Sequence, residues 1–391
     1  MASPSVASTV RAGVKRCRGS NTVACIKRTY ATAYSQPAAS TASEAEVNSA
    51  RTYCADLLRK YDTPSHLLQS FIPAHARDAY LAIRAFNIDV ARTADTTSTP
   101  TIGAMRLQFQ RDAISQALAG SPPKQPVAIL LARAAEDLWN RTHGRGKFSK
   151  SWFLRVINTR QQYLDNPPYS DIAALESYAE NTYSTLMYLT LQALPMNSVT
   201  ADHVASHIGK ATGIATVLRG IPLLAFPPPP NSHSNQDGFS GAVGATRQGA
   251  VMLPLDVMAQ HGVREEEVFR NGAGAQGLRD AVFTVATRAN DHLITAREML
   301  KNLRAGHDAG HEFEHQHEEE HNYSVLQTEG KKDTPAQELE KSFAVFMPAV
   351  ATSVWLERLQ KSDFDIFNPK LRVTDWKLPW RAYWAYKRGT F

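Results

Sequence analysis

Residues Arg84 to Asp95, with the sequence RAFNIDVARTAD, contain residue types that could assist a reaction through a bound cation. Magnesium prefers oxygen ligands, and two carboxylates four residues apart lie on one helix face, where they can share an ion. Here Asp89 and Asp95 are separated by six residues. At roughly 100° per residue they lie about 120° apart around a helix. The stretch therefore predicts a helix that lacks a complete row of metal-binding carboxylates.

Two groups of histidines have metal-ligand chemistry. His203 and His207 have helical ligand spacing, but the sequence offers neither the Glu of an HExxH motif nor an obvious third ligand, so we interpret them as core or capping residues. The second group could bind zinc or copper weakly, but its many glutamates favour a solvated linker. It comprises His307, His311, His315, His317 and His321. We predict no metal site and no cofactor.

The C-terminal tail DWKLPWRAYWAYKRGTF combines aromatic and basic residues at helical spacing. This pattern is typical of helices that lie at a lipid head-group layer while their basic side chains reach outward. The alternative is a terminal helix that docks on the protein through its aromatic face, and the rings can serve both contacts. The candidate membrane-contact residues are Trp376, Trp380, Tyr383 and Trp384.

The net charge of +6 comes from the N-terminal leader. Six basic residues and no acid occur between Met1 and Tyr30, and the rest of the chain has 37 basic and 37 acidic residues. A neutral body gives no reason to expect a nucleic-acid partner. The leader is typical of a mitochondrial presequence, and RTYAT indicates cleavage after Tyr30, whereas a disordered basic tail is the alternative.

The cysteines and the lengths of the apolar runs limit the cellular compartments in which we expect the protein. Cys17 and Cys25 lie in the leader, which leaves Cys54 without an intramolecular disulfide partner and fits a reducing compartment. No window reaches the roughly 18 to 20 apolar residues of a spanning helix, so any membrane association should be peripheral.

Apolar residues recur at intervals of three and four along most of the chain, which predicts an all-α domain of about ten helices. The predicted helical segments are 78–91, 104–119, 126–139, 150–164, 173–193, 199–224, 276–303 and 337–360. We expect a presequence at 1–30, a flexible spacer at 31–48 and one helical domain at 49–391. Disordered insertions are expected near 226–247 and 304–336, where the sequence is rich in Pro, Gly and Ser or in His and Glu.

Several segments resemble, in this order, the squalene/phytoene synthase superfamily. They are SHLLQSFIPAHARDAYLAIRAFNIDVARTAD, MRLQFQRDAI, QPVAILLARA, HIGKATGIATVLRGIP and VMLPLDVMAQHGV. Within it, TIGAMRLQFQ, YAENTYSTLMYLTL and SDFDIFNPKL are similar to a non-catalytic mitochondrial branch. The resemblance implies a single isoprenoid-synthase-like helical bundle around a central cavity.

Active members of that superfamily carry two Asp-rich helices that hold magnesium and diphosphate across the cavity. The resemblance places Ala91 and Arg92 where paired acids are expected and leaves Asp95, which we interpret as a partner of Arg92 or a helix cap. At the second motif it places Gly220 and Leu224 at the acid positions. Each lost 1.4 kcal/mol of transition-state stabilisation costs about tenfold in rate, so we expect no catalytic residues.

The bundle itself should remain. Gly209, Gly213 and Gly220 are small residues that we expect to let helices approach closely around the cavity. Basic and amide side chains could line it and hold an anionic head group, or could form ordinary ion pairs instead. These candidates are Arg77, Arg84, Asn87, Lys210 and Arg219.

Three functions follow from the resemblance. The first is a non-enzymatic assembly factor that supports biogenesis of respiratory complex I, peripheral on the matrix side of the mitochondrial inner membrane. Its expected partners are complex I subunits or other assembly factors and the inner-membrane surface. The alternatives are a prenyltransferase that condenses allylic diphosphates and a carrier that holds an isoprenoid or lipid in the cavity.

Overall fold

The computed structural model describes residues 42–97, 99–194, 198–227, 249–307 and 334–391. These residues form sixteen α-helices and no β-strand, which confirms the all-α prediction. The predicted presequence at 1–30, most of the spacer at 31–48 and most of the insertions near 226–247 and 304–336 lie outside the described residues.

The helices follow one another with short connections. They are α1 (Glu44–Tyr61), α2 (Thr63–Leu68), α3 (Arg77–Ala91), α4 (Thr93–Thr96), α5 (Pro100–Leu118), α6 (Pro126–Arg141), α7 (Lys150–Gln162), α8 (Ile172–Ala179), α9 (Thr185–Gln192), α10 (Val199–Ala225), α11 (Leu255–Gln260), α12 (Glu265–Asn271), α13 (Leu278–Arg304), α14 (Pro335–Phe346), α15 (Pro348–Lys361) and α16 (Leu378–Arg388). More helices occur than the roughly ten predicted because the apolar pattern does not register one- and two-turn helices.

Polar side chains fix where several helices begin. The Ser43 hydroxyl accepts a hydrogen bond from the Glu46 backbone N–H, and the Glu46 carboxylate accepts one from the Ser43 N–H in return. This capping box satisfies two N–H groups that the first helical turn leaves without partners. Because α1 begins at Glu44, residues 44–48 of the predicted spacer are helical.

Helix α10 lies at the centre of the bundle and packs against α8, α9, α13, α14 and α15. Among the described residues it is the one helix with the length and mean hydropathy, 1.2, of a membrane span, but 56% of that window is buried inside the protein. The core helix of a soluble protein meets the same criteria, so its composition is weak evidence for a span.

Two predicted segments are interrupted. The segment 173–193 contains a π-helical turn, Glu180–Ser184, between α8 and α9. The segment 337–360 is divided at Met347, immediately before Pro348, because proline cannot donate the backbone hydrogen bond of a continuous helix.

Glycines allow α10 to approach its neighbours closely at two places. A Cβ on Gly209 would lie 2.4 Å from the Ser184 Cα, and one on Gly213 would lie 2.5 Å from the Ala179 Cβ. At Gly220 an added Cβ would meet nothing within 4 Å. The prediction of close approach is therefore confirmed at Gly209 and Gly213 and wrong at Gly220, which borders open space.

Candidate functional site

The first motif does not lie on one helix. Helix α3 ends at Ala91, which is half-buried, and Arg92 follows as its C-terminal cap. The Arg92 guanidinium lies over the ring of Tyr61, with its Cζ 3.7 Å from the ring centroid. Asp95 is exposed on the four-residue helix α4. The break after Ala91 therefore separates Asp95 from the helix that contains Asp89.

Asp89, on α3, lies next to Gln125, the N-cap residue of α6. Its carboxylate lies 3.5 Å from the Gln125 side-chain amide, which donates to it. Burial raises the pKa of Asp89 to about 6, although the nearby charges of Arg92 and Arg106 act in the opposite direction. An acid with this pKa is partly protonated in weakly acidic solution and is a poor ligand for a hard cation there.

The second motif lies in the second half of α10. Gly220 is half-buried beside open space, and Leu224 packs against the hydrophobic core. The neighbouring Arg219 has its guanidinium 5.4 Å from the Trp355 ring centroid. Arg219 has a large accessible area, yet burial lowers its pKa. The side chain is therefore accessible to water although many protein atoms lie around it.

Arg160 on α7 is a site residue that the sequence did not single out. It donates hydrogen bonds to the Tyr178 hydroxyl and, over 3.3 Å, to Asn87 Oδ1. Its Cζ lies 5.3 Å from the Tyr178 ring and 5.5 Å from the Tyr183 ring. Burial would lower the pKa of Arg160, but the two tyrosines raise it, so the guanidinium stays charged.

Tyr183 is close enough to act electrostatically on both Arg160 of α7 and Arg219 of α10, and it acts to raise the pKa of each. We call Asn87, Arg160, Tyr178, Tyr183 and Arg219 the arginine cluster. Its members come from α3, α7, α8, the π turn and α10. The fold thus brings together two of the predicted cavity residues, Asn87 and Arg219, with three that were not predicted.

The other predicted arginines of α3 differ in burial. Arg84 is buried one turn before Asn87, with its Cζ 5.4 Å from the Tyr80 ring, and its Nε has no hydrogen-bond partner. Arg77 is exposed at the start of the helix and donates to the Ile72 carbonyl over 3.2 Å. Ten residues separate Arg77 from Asn87, which is about 15 Å along a helix, so Arg77 does not join the cluster.

Lys210 is balanced by a carboxylate that the sequence analysis overlooked. Burial would raise the pKa of Glu180, but the charge of Lys210 and hydrogen bonds from Tyr188 and Ser206 lower it below the ordinary value. The Tyr188 hydroxyl donates to Glu180 Oε1 over 2.5 Å and the Ser206 hydroxyl to Oε2 over 2.8 Å. Glu180 is therefore ionised and offsets the charge of Lys210.

The arginines have no carboxylate in contact. Within the described ranges, no carboxylate forms an ion pair within 4.0 Å of Arg84, Arg160 or Arg219, although the charge of Asp62 acts on Arg219 from farther away. Cations without a carboxylate in contact create a field that favours an anionic ligand. The sequence did contain a signal for Arg160, because it follows Val156 and Ile157 on the buried face of α7. An arginine on such a face needs a polar partner inside the protein.

The two predicted core histidines belong to a partly buried chain of side chains, in which His207 and Glu176 are half-buried. His203 is buried, as predicted, and its ring lies 5.4 Å from that of His207. His207 Nδ1 lies 3.0 Å from His292 Nδ1, and His292 Nε2 lies 2.9 Å from Glu176 Oε1. Within the part of the chain that the structure describes, no group of three or more His, Cys, Asp or Glu residues could hold a metal ion. Of the His-rich cluster, only His307 is among the described residues, where it is exposed.

The predicted membrane-contact residues lie on and just before α16. All four are exposed, and the neighbouring Leu378 and Ala382 are buried instead. The four are Trp376, Trp380, Tyr383 and Trp384.

Comparisons with known proteins identify the family of the chain. The family model described as "Squalene/phytoene synthase" matches residues 58–383. The chain is 36% identical over 331 residues to "NADH dehydrogenase (ubiquinone) complex I, assembly factor 6" of Rattus norvegicus, which covers 85% of this chain and 80% of that protein. It is 31% identical over 336 residues to the homolog of that factor from Drosophila melanogaster, covering 85% and 82% of the two chains.

Among solved structures, the fold is similar to the "Crystal structure of a dehydrosqualene synthase in complex with ligand". The TM-score is 0.59, the sequence identity is 15%, and the match covers 88% of this chain and 96% of the other. At this identity the likeness shows a shared all-α isoprenoid synthase fold and nothing about activity.

Proposed function

This chain belongs to the squalene/phytoene synthase family, and we propose that it is a non-enzymatic mitochondrial assembly factor supporting the biogenesis of respiratory complex I. The observation that carries the proposal is the 36% identity, over 85% of the chain, to a rat protein named as a complex I assembly factor. A relative from Drosophila melanogaster that covers a similar share of the chain has a corresponding name, which supports an old and shared role.

The residues at the motif positions support the absence of catalysis. Ala91, Gly220 and Leu224 offer no side-chain oxygen, and Arg92 carries a positive charge. Asp95 is exposed on a separate short helix. Magnesium needs several oxygen ligands in near-octahedral geometry, so this donor set does not fit a magnesium–diphosphate site. Departure of diphosphate would lack the charge stabilisation on which such a reaction depends.

The proposal includes a location and partners. The basic segment 1–30 acts as a presequence, and the segment from 31 to the start of α1 acts as a spacer. The helical domain then lies on the matrix side of the inner membrane as a peripheral protein. Its partners there are complex I subunits or other assembly factors, and it needs no cofactor.

A deletion and rescue experiment tests the function. We expect deletion of the gene to lower assembled complex I on native gels and to leave the other respiratory complexes near their normal levels. Wild-type protein and Asp95→Ala should both restore complex I. Asp112→Ala, at an exposed acid on α5, is the matched control. Normal complex I in the deletion strain would refute the proposal, and failure of Asp95→Ala alone would argue against a non-catalytic role.

A prenyltransferase with altered metal ligation is the enzymatic alternative. Purified protein would be incubated with long allylic diphosphates and magnesium or manganese, and the products separated by chromatography. Our proposal requires that no condensation product forms. A reproducible product that disappears in Asp95→Ala would establish the enzymatic alternative.

Arg160 of the arginine cluster and Arg84, which lies one turn before Asn87, favour a second candidate function, that of a carrier for an anionic isoprenoid or lipid. Arg160 and Arg84 each have a buried Nε without a hydrogen-bond partner, and an anionic head group would supply one. Native mass spectrometry of the purified protein should then detect a bound lipid-sized mass that is reduced in Arg160→Met. A protein that carries no such mass, with the variant indistinguishable from wild type, would contradict the carrier function.

A further inference from the structure

The outward face of α16 is the largest group of exposed aromatic rings on adjoining turns in the described chain. Trp376, Trp380 and Trp384 follow at intervals of four residues and expose 75%, 66% and 48% of their surface. Tyr383 exposes 48% beside them. Residues four apart lie on one side of a helix, so Trp380 and Trp384 lie on the same side of α16, with Tyr383 beside them and Trp376 in the turn just before the helix. We call these four residues the tryptophan face. Exposed apolar patches of this kind mark contact sites.

The tryptophan face is not the surface that docks α16 on the protein. Leu378 and Ala382 are buried, and the Tyr386 ring lies 5.0 Å from that of Phe71. Arg381 donates to both carboxylate oxygens of Glu357 on α15, over 2.8 and 2.9 Å. These contacts hold the helix in place through its opposite side, so the tryptophan face is presented on a rigid support.

The charges around the tryptophan face are nearly all positive. Between Pro369 and Phe391 there are six basic residues and a single acid, Asp375. Arg381 is offset by Glu357, which leaves five other basic side chains and one acid in the segment. Lys377 lies 5.4 Å from the Trp376 ring, and Lys387 and Arg388 lie 5.6 and 5.5 Å from the Trp384 ring. Cations and rings therefore share one surface.

We propose that the tryptophan face is the contact of this protein with an anionic phospholipid bilayer. Indole rings are favourable at the boundary between head groups and acyl chains, and basic side chains beside them meet the negative lipid phosphates. The one-sided charge of the segment is complementary to such a surface, because each Lys or Arg near it is attracted to the negative lipids. The inference rests on the proposed peripheral location and assigns it a surface and a lipid class.

Vesicle flotation tests the surface with the full-length protein. The vesicles are phosphatidylcholine alone and phosphatidylcholine with about one part in five phosphatidylglycerol. One variant, Trp380→Ser with Trp384→Ser, removes the rings, and a second, Lys387→Glu with Arg388→Glu, reverses the charge. The matched controls alter exposed residues on other helices: Met105→Ser with Phe109→Ser on α5, and Lys150→Glu with Lys301→Glu.

We expect the wild-type protein to bind the anionic vesicles and to bind neutral ones at least about tenfold more weakly. Each α16 variant should lose about tenfold or more in affinity for the anionic vesicles, while the controls stay near wild type. All four variants change exposed side chains, and melting temperatures equal to that of the wild type would establish that they are folded.

Two results would overturn the inference. One is undiminished vesicle binding by both α16 variants. The other is no vesicle binding by the wild type together with capture of a complex I subunit that the ring variant loses, which would make the face a protein interface. Failure of the proposed function would give a different result. If the protein binds vesicles as expected but complex I is normal in the deletion strain, the membrane-contact surface is supported and the assembly role is refuted.

Discussion

His207 and His292 join the two longest helices of the described chain through ring nitrogens that lie 3.0 Å apart. At this distance the two Nδ1 atoms share a single proton, so one ring donates and the other accepts. The other nitrogen of His292 faces the Glu176 carboxylate, which can only accept, and therefore carries a proton. A neutral His292 then accepts at Nδ1, and His207 donates. The carboxylate thus sets the tautomers of both rings.

Replacing His207 should show how much the hydrogen bond between His207 and His292 stabilises the protein. We expect His207→Leu to lower the free energy of unfolding by about 1–3 kcal/mol, because the buried His292 Nδ1 would lose its donor. His207→Asn should cost less, since its amide can donate from nearly the same position. Urea unfolding at neutral pH measures both. An Asn variant that is less stable than the Leu variant would contradict the hydrogen bond.

Asp89 should make the protein less stable as the solution becomes less acidic. Its folded pKa of about 6 lies above the ordinary value of 3.8, so the folded state binds the proton more tightly than the unfolded state. The stability that the protonated form contributes is complete below about pH 4 and is lost as the pH rises through 6. Asp89→Asn should therefore raise the unfolding free energy at pH 7.5 by about 2 kcal/mol, and by little at pH 4.

Denaturant unfolding across this pH range checks the prediction. Asp112→Asn, at an exposed position, is the control and should keep the pH dependence of the wild type. The same pH dependence in Asp89→Asn as in the wild type would mean that folding does not raise the pKa of Asp89.

Glu180 and Lys210 should stabilise the bundle as a pair. We expect Glu180→Gln to lower the unfolding free energy by about 3 kcal/mol, because it leaves the Lys210 charge in the protein without its counter-charge. Lys210→Met should also destabilise, and the double variant should lose clearly less than the two single losses together. A double-mutant cycle by urea unfolding measures the coupling. Strictly additive losses would mean that the two charges do not interact.

The glycines of α10 should differ in their tolerance of alanine. Gly209→Ala should cost about 1–3 kcal/mol or more, because its methyl group would overlap the Ser184 backbone. Gly220→Ala should be neutral or stabilise by about 0.5–1 kcal/mol, since the space is open and alanine favours a helix. Thermal unfolding of the two variants makes the comparison. A destabilised Gly220→Ala would contradict the open space beside Gly220.

The helices could be predicted from the sequence where apolar spacing runs without interruption. The predicted 199–224 corresponds to α10 at Val199–Ala225, and 126–139 to α6 at Pro126–Arg141. The π turn could not be predicted, because one extra residue barely alters an apolar pattern in a segment that is buried on nearly every side. The lack of acids at Ala91, Arg92, Gly220 and Leu224 could be predicted from the resemblance alone, since it depends only on residue type.

The partners of the site residues depend on contacts between distant helices. Arg92 lies over Tyr61 of α1, and Arg160 reaches Asn87 across 73 residues of sequence. Neither contact has a spacing that a sequence pattern could reveal. In the sequence, Arg160 and Glu180 are recognisable only as single charged residues within apolar faces. Such a position indicates that the side chain has a polar partner but does not identify that partner.

The π turn at Glu180–Ser184 gives this part of the chain a residue that a regular helix would not need. Such a turn contains one residue more than the α-helical path that it replaces. Deletion of one residue within the turn would let α8 and α9 merge into one regular helix, while the residues on either side keep nearly their present directions. The extra residue acts on the turn itself, where Glu180 accepts from the Tyr188 hydroxyl and Ser184 lies against Gly209. A one-residue gap here is therefore compatible with the same bundle, whereas a gap in the middle of α10 would rotate the rest of that helix by about 100°.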